Sequence, residues 1–295
     1  MNPLVSVAII TYNQKIFLKQ CIESVLVQNY EPLEIVIADD GSTDGTVELL
    51  YSYLEEYPNI FRLQLSKENI GISKNSNLAH FACKGKYIAW MGGDDLMLPG
   101  KLKKQVLFME KNPDCNISYH NLDVFLSGSN TSLFLMNSKK NTYEGGIEVM
   151  IKYGCFNGAC STMVRGEATP HHGFDERIPI ASDWLFWVES LSAGGKIRYI
   201  DEVLGRYRRH DNNVTNKKGY SADLDHLNSC NILLTKFPHL YSVIIFRYSE
   251  LLRGLRYKES KSYLIWLKAS ILLGFNWRSV VLTCLHILSF GRVRK

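Results

Sequence analysis

The chain has 295 residues, 46% of them hydrophobic and 21% charged, with a net charge of +5. That composition belongs to an ordinary globular protein with a full core and excludes a disordered, collagen-like or coiled-coil chain. The length admits one large domain with an appendage, or two modest domains.

Val5–Ile10 is a short apolar, β-rich run of the kind that forms a buried parallel strand. Phe17, Leu18, Cys21, Ile22, Val25 and Leu26 then recur at helical spacing. Glu34–Ala38 predicts a second strand ending at Asp39-Asp40, and Val47, Leu50, Tyr51 and Leu54 predict a helix with Ser42 as its cap. A strand at Phe61–Leu65, a helix at Ser73–Ala82, a strand at Tyr87–Met91 and a helix carrying Leu102, Val106 and Met109 complete the series. Such alternation argues for a mostly parallel sheet with helices on both faces. Ligands of these sheets bind beyond the carboxyl ends of the strands. Thr11-Tyr12-Asn13, Asp39-Asp40 and Gly92–Asp95 all fall at such ends, so one site is expected to collect them.

From about Asn116 the pattern turns irregular: Ile117–Leu126 is strand-like, and a Gly-, Ser- and Asn-rich stretch follows to about Cys160. A helix is expected from about Asp183, with Trp184, Trp187, Val188 and Leu191 on one face. From Ala222 onward the chain reads as helices only.

Four places carry chemistry. Asp39-Asp40-Gly41-Ser42 offers carboxylates either to a base N–H or ribose hydroxyl, or to the start of the next helix. Gly92-Gly93-Asp94-Asp95 puts adjacent carboxylates at the end of a buried strand, where they repel unless a cation or donors lie between them. A diphosphate partnered by Mg²⁺ or Mn²⁺ meets that need, and a solvated loop before Pro99 is the alternative. Asp183 is either a helix cap or, with two tryptophans excluding water beside it, a general base. His210 is either a surface histidine or a third ligand or phosphate contact beside the acidic pair, and His171-His172 read as acceptor-side surface.

SVAIITYN (Ser6–Asn13), VIADDGSTDGT (Val36–Thr46), ENIGISKNSNLA (Glu68–Ala79), GKYIAWMGGDDLMLP (Gly85–Pro99), SDWLFWVESL (Ser182–Leu191) and LGRYRRH (Leu204–His210) follow one another in a family's order. Over residues 4–215 the chain resembles an inverting family 2 glycosyltransferase of the GT-A fold, of the bacterial polysaccharide and O-antigen kind. The resemblance implies a Rossmann-like α/β catalytic domain over 1–215, with 1–115 as the nucleotide-sugar half and 116–215 as the acceptor half. Residues 216–295 form an all-helical appendage. It further implies Thr11, Tyr12 and Asp40 at the nucleotide base, and Lys74 at the nucleotide or diphosphate. Asp94 and Asp95 then stand at a divalent metal, with Asp94 also at the ribose and His210 as a candidate third ligand, and Asp183 is the catalytic base. Many relatives carry Asp where this chain has Gly92, so two carboxylates remain at the metal position. The implied reaction moves a sugar from a nucleotide-sugar, expected to be a UDP-sugar, to a hydroxyl of a saccharide acceptor, expected to be polyprenyl-linked. The rival reading is an inactive nucleotide-sugar-binding partner of another transferase. The presence of Asp40, Asp94, Asp95 and Asp183 disfavours it.

The last segment, Leu251–Lys295, holds nine basic residues against one acid, Glu259, and so carries +8; the 25 basic and 28 acidic residues of 1–250 give −3. No window reaches the roughly 20 apolar residues of a spanning helix. Val280, Val281, Cys284, Leu285 and Leu288 form an amphipathic stripe. This pattern predicts either interfacial helices on an anionic leaflet or an assembly surface, and no recognition motif points to nucleic acid. Seven scattered cysteines without a CxxC pair predict free thiols. The N-terminus lacks a basic n-region, and the expected location is cytoplasmic, peripheral at the inner face of the membrane.

Overall fold

The computed structural model describes residues 2–137, 142–211, 213, 221–256 and 262–289. Lys258, Lys261, Arg292, Arg294 and Lys295 of the basic tail lie outside them. The chain divides into two compact units, Met1–Ile147 with Cys155–Asn216, and Glu148–Gly154 with Lys217–Lys295.

The first unit is built on a nine-stranded sheet. Strands β1 (Val5–Thr11), β2 (Leu33–Asp39), β3 (Phe61–Leu65) and β4 (Tyr87–Gly92) run parallel in the order β3-β2-β1-β4. Helices α1 (Lys15–Leu26), α2 (Thr46–Glu56) and α3 (Ile72–Ala82) make the connections, and α4 (Lys101–Lys111) follows β4. The parallel strands are continuous apolar runs because both faces are covered: Val5, Val7, Ala8 and Ile9 are all buried, as are Ile35–Ala38. Leu18, Cys21, Ile22 and Val25 of α1 pack into the same core, at the spacing a helix needs to present one apolar face. This half is the expected α/β architecture.

The other half of the sheet is mixed. β8 (Met163–Arg165) lies antiparallel to β4 and to β6 (Cys115–Leu126), and β9 (Lys196–Arg209) runs parallel to β6. The short β5 (Leu96–Met97) closes on β9, and β7 (Ser132–Leu135) pairs with β6. The composition pattern did not predict β9. Its register against β6 shifts three times, so burial along its 14 residues never alternates cleanly. Helix α6 (Ser182–Glu189) packs Trp184 and Trp187 into the interior, where Trp187, Phe186, Phe174 and Trp90 form edge-to-face and stacked pairs.

Two boundaries differ from the sequence expectation. Helix α2 starts at Thr46 and Ser42 does not cap it: Gly45 intervenes at φ +86°, and Asp44 Oδ1 accepts the Thr46 amide at 3.1 Å. Ser42 Oγ accepts the amide of Asn13 at 2.7 Å, tying the turn after β1 to the turn after β2. Asp183 is the second residue of α6, one position inside the helix, and Ala181 stands at the cap.

The second unit is helical, with α5 (Ile147–Tyr153), α7 (Ser221–Lys236), α8 (Tyr241–Leu255), α9 (Tyr263–Gly274) and α10 (Trp277–Leu288). Among the described residues no helix is long and apolar enough to cross a membrane. No disulfide joins any of the seven cysteines.

Lys101, at the start of α4, is an exception to core composition: it is wholly buried, with Nζ donating to Gln105 Oε1 at 2.7 Å. Burial brings the ammonium down from 10.5 to about 7. Between about pH 7 and 10.5 the unfolded chain therefore binds a proton at Lys101 that the folded chain does not, and stability contributed here rises with pH through that window. In denaturant titrations across this range, the stability of wild type should rise with pH relative to that of Lys101→Met. Equal slopes would mean that Lys101 stays charged inside the fold.

Candidate active site

Strands β1, β2 and β4 end side by side, Thr11 opposite Asp39 and Ile10 opposite Gly92, so the polar turns that follow them meet at one edge of the sheet. Thr11 is buried, with Oγ1 donating to Gln14 Oε1 at 3.3 Å, while Tyr12 projects into solvent. Asn13 takes φ +51° and accepts the amide of Thr43 at 2.8 Å, completing the stitch made by Ser42. Gly41, at φ +74°, has the Glu68 carbonyl carbon 2.6 Å from where a Cβ would stand, so only glycine lets these two turns approach.

Asp40 is buried and accepts the amides of Ile70 and Gly71 at 2.7 and 3.2 Å, one on each oxygen. Burial pushes its carboxyl upward against the pull of those two amides, and the charge of Asp39 adds to the rise. Asp39 Oδ2 accepts the Ser42 amide at 2.9 Å, whereas its buried Oδ1 meets no donor among the described residues. Asp40 thus clamps the loop that leads into α3, and Asp39 holds the unsatisfied acceptor. Lys74, in the first turn of α3, is exposed and has no ion-pair partner among the described residues.

At the end of β4, Asp95 is buried and Asp94 lies half-buried beside it. Burial and the charge of Asp94 push the Asp95 carboxyl well above the usual carboxylate range. The backbone N–H of Arg208 donates to Asp95 Oδ1 at 2.9 Å, and the Cys160 thiol also bonds this carboxylate. His210 Nε2 donates to Asp94 Oδ2 at 2.9 Å, and Asn213 Nδ2 donates to the same oxygen at 3.1 Å. The guanidinium of Arg208 bonds the Asp94 carbonyl at 2.6 Å and Gln20 Oε1 at 2.7 Å, and packs over the rings of Phe17 and Phe125. The end of β9 is therefore a second wall of the site.

The remaining carboxylate oxygens converge on the place where residue 92 has no side chain. A Cβ on Gly92 would stand 2.8 Å from Asp94 Oδ1 and 3.5 Å from Asp95 Oδ2. Two hard oxygen donors around one small space suit Mg²⁺ or Mn²⁺, and a cation there would offset the repulsion that raises Asp95. Among the described residues no three His, Cys, Asp or Glu side chains are arranged to hold an ion unaided. A cation at Asp94 and Asp95 would complete its shell from phosphate oxygens and water, the usual habit of Mg²⁺. His210 addresses Asp94 Oδ2, the oxygen turned away from that space.

Asp183 is half-buried and keeps solvent contact, whereas Trp184 and Trp187 are buried in the core. Its Oδ1 accepts the Trp184 amide at 2.8 Å, and the Cys155 thiol donates to Oδ2 at 3.4 Å. Ser73, one residue before Lys74, donates to Ser182 at 2.7 Å, one residue before Asp183. The first turns of α3 and α6 are thereby bonded side by side, which brings the expected phosphate contact and the expected base into one neighbourhood. His172 Nε2 stands 2.9 Å from Glu189 Oε2. Arg208, Asn213, Gln14 and Cys155 carry contacts that no motif singled out. LGRYRRH contained the only signal, the first of its two adjacent arginines being Arg208.

Residues 6–165 match the profile of glycosyl transferase family 2. An uncharacterised protein of Mycobacterium tuberculosis is 30% identical over 212 residues, covering 71% of this chain and 60% of that relative, so the chain spans well under two thirds of its length. TuaG of Bacillus subtilis, a putative teichuronic acid biosynthesis glycosyltransferase, is 28% identical over 222 residues, or 75% of this chain and 85% of TuaG. Among solved structures, Staphylococcus aureus TarS 1–349 in complex with UDP-GlcNAc superposes with a TM-score of 0.69 at 16% identity, over 98% of this chain and 87% of that one. A Pyrobaculum calidifontis mannosyltransferase in complex with GDP-Man and Mn²⁺ gives 0.65 at 15% identity, over 99% and 82%. The two superpositions establish a shared GT-A fold, and the profile takes in more than half of the 295 residues: the chain belongs to glycosyl transferase family 2.

Proposed function

We propose that the chain is an inverting, metal-dependent glycosyltransferase. It would move a sugar from a UDP-sugar to a hydroxyl of a polyprenyl-linked saccharide, in cell-surface polysaccharide synthesis at the inner membrane face. The observation that carries the reading is the Asp94–Asp95 pair around the space at Gly92, on the sheet edge that also holds Thr11, Asp39 and Asp40. UDP-GlcNAc in the TarS structure and Mn²⁺ with GDP-Man in the mannosyltransferase support donor and metal by likeness of fold. TuaG supports a cell-envelope polymer as the context.

In this reading the edge formed by Thr11, Tyr12 and the Asp39–Asp40 turn takes the nucleoside, with Asp39 Oδ1 the acceptor still to be satisfied by a base or ribose donor. Lys74 reaches the diphosphate from the first turn of α3. A divalent cation at Asp94 and Asp95 would neutralise charge on the departing diphosphate. His210 and Asn213 fix the orientation of Asp94 through its Oδ2. Asp183 takes the proton of the acceptor hydroxyl as its oxygen bonds the anomeric carbon from the far face. The carbon–oxygen bond to the diphosphate breaks in the same displacement, and its electron pair leaves with the nucleotide. No covalent intermediate arises, so an α-linked donor gives a β-linked product. The alternative, an inactive binding partner of another transferase, finds no support in a site that retains Asp40, Asp94, Asp95 and Asp183 together.

Asp183→Asn removes the proton acceptor while keeping size and the bond to the Trp184 amide. Turnover should fall about 10²–10⁴-fold, as for loss of a general base, with nucleotide affinity retained. Turnover near the wild-type value would reduce Asp183 to a structural residue of α6. Stereochemistry is a separate check: proton NMR of the product should show the anomeric configuration opposite to that of the donor. Retention would rule out single displacement by this base.

A further inference from the structure

The turn joining α9 to α10 carries an apolar tip in water. Leu272 is 87% exposed, Phe275 78% and Trp277 64%, the last with the Arg278 guanidinium 5.7 Å from its ring centre. Large apolar side chains scattered singly on a surface need no explanation, but these stand within six residues at the end of a helical hairpin.

The tip is held, not frayed. Phe275 takes φ +44°, the left-handed region in which a bulky residue is an outlier and Gly or Asn is usual. Such a conformation persists only where the surroundings fix it. Asn276 is buried beneath the tip: its Oδ1 accepts the Ser279 amide at 3.3 Å and so caps α10, and its amide group donates to Glu250 of α8. Ser279 Oγ donates to Ser270 Oγ at 3.0 Å, and Ser270 Oγ to the Ser249 carbonyl at 2.7 Å. This buried polar network ties α8, α9 and α10 together directly under the turn, so Phe275 and Trp277 are presented outward by a fixed base.

Charge selects the occupant. From Ser262 to Ser289 the sequence has no acidic residue, while Lys268 and Arg278 are exposed within two helical turns of the tip, Arg278 also standing 3.5 Å from the largely buried Glu250 of α8. A second copy docking face to face would set these cations against their own counterparts. An anionic leaflet instead offers phosphates to the cations and a headgroup–acyl boundary in which Trp and Phe are at home. We infer that the α9–α10 turn is a membrane-insertion wedge: Phe275 and Trp277 enter the leaflet, with Leu272 following, and Lys268 and Arg278 meet anionic headgroups. This deepens the membrane location in the proposed function without using any catalytic residue.

The test is co-sedimentation of the full-length protein with vesicles of phosphatidylcholine alone and of equal parts phosphatidylcholine and phosphatidylglycerol. Binding should require the anionic lipid. The Phe275→Ser, Trp277→Ser double variant should lower partitioning by more than about tenfold, the least expected from losing burial of one large apolar side chain, with unchanged far-UV circular dichroism. Tryptophan emission of the wild type should shift to the blue on anionic vesicles, and Trp277→Phe should remove the shift; this pair decides the matter even if the double variant fails to fold. Undiminished binding by a folded double variant, or no Trp277-dependent shift, overturns the wedge. So does a full-length protein that ignores both vesicles and elutes as an oligomer dissolved by the double variant, which would make the turn an assembly surface. The readout needs neither donor nor acceptor, so its failure leaves the transfer reading standing, and a failed transfer assay leaves the wedge standing.

Discussion

Adjacent carboxylates at the end of a buried strand cannot both ionise cheaply, and at Asp94 and Asp95 the fold surrounds that cost with donors drawn from across the chain. Arg208 gives its backbone N–H to Asp95, while the side chains of His210 and Asn213 donate to Asp94. These partners stand 113 to 119 residues away in sequence. The parallel pairing of β9 with β6, and the closing of β5 onto β9, bring them back to the end of β4. Even so the Asp95 carboxyl stays well above its ordinary range, because burial and its neighbour's charge outweigh the donors. A site left in that condition favours any ligand that brings positive charge. Gly92, by omitting a side chain, leaves the space for one.

A second line of constraint runs from the turn after β2 to the start of α6. Asp40 fixes Ile70 and Gly71, and these set the start of α3. Asn75 anchors α3 to the Ala38 carbonyl at 3.0 Å, and Ser73 bonds α3 to Ser182 at the start of α6. Lys74 and Asp183 thus sit on helix starts whose placement traces to one buried carboxylate. Preorganisation of this kind lets a displacement reaction proceed without rearranging the groups that receive charge. Asp40 is thereby a positioning residue for the starts of both helices.

The α/β half was readable because a strand buried on both faces leaves an unbroken apolar run, as at Ile35–Ala38, and ends abruptly in polar residues. The same rule collected Thr11, Asp39, Asp40, Asp94 and Asp95 at one edge before any geometry was known. What stayed hidden lacked local expression. β9 bulges, so its burial has no period; Arg208 and Asn213 reach the carboxylate pair through contacts more than a hundred residues distant. Ser42 resembled a cap because Asp44 and Gly45, which set the true start of α2, lie in the same polar turn. The tryptophans beside Asp183 follow helical periodicity into the core, and adjacency in sequence says nothing of that. The α9–α10 turn shows the reverse case: its composition was readable, but the left-handed Phe275 and the buried Asn276 beneath it required the fold.

In the proposed function, Asp94 and Asp95 hold a cation shared with a diphosphate. Calorimetric titration of UDP into the protein, in Mn²⁺ and in EDTA, with wild type and Asp94→Asn, tests it most directly. UDP should bind at least about tenfold more tightly to the wild type with Mn²⁺ than with chelator, and Asp94→Asn should lose most of that difference. Equal affinity of the wild type for UDP in Mn²⁺ and in EDTA would contradict the account.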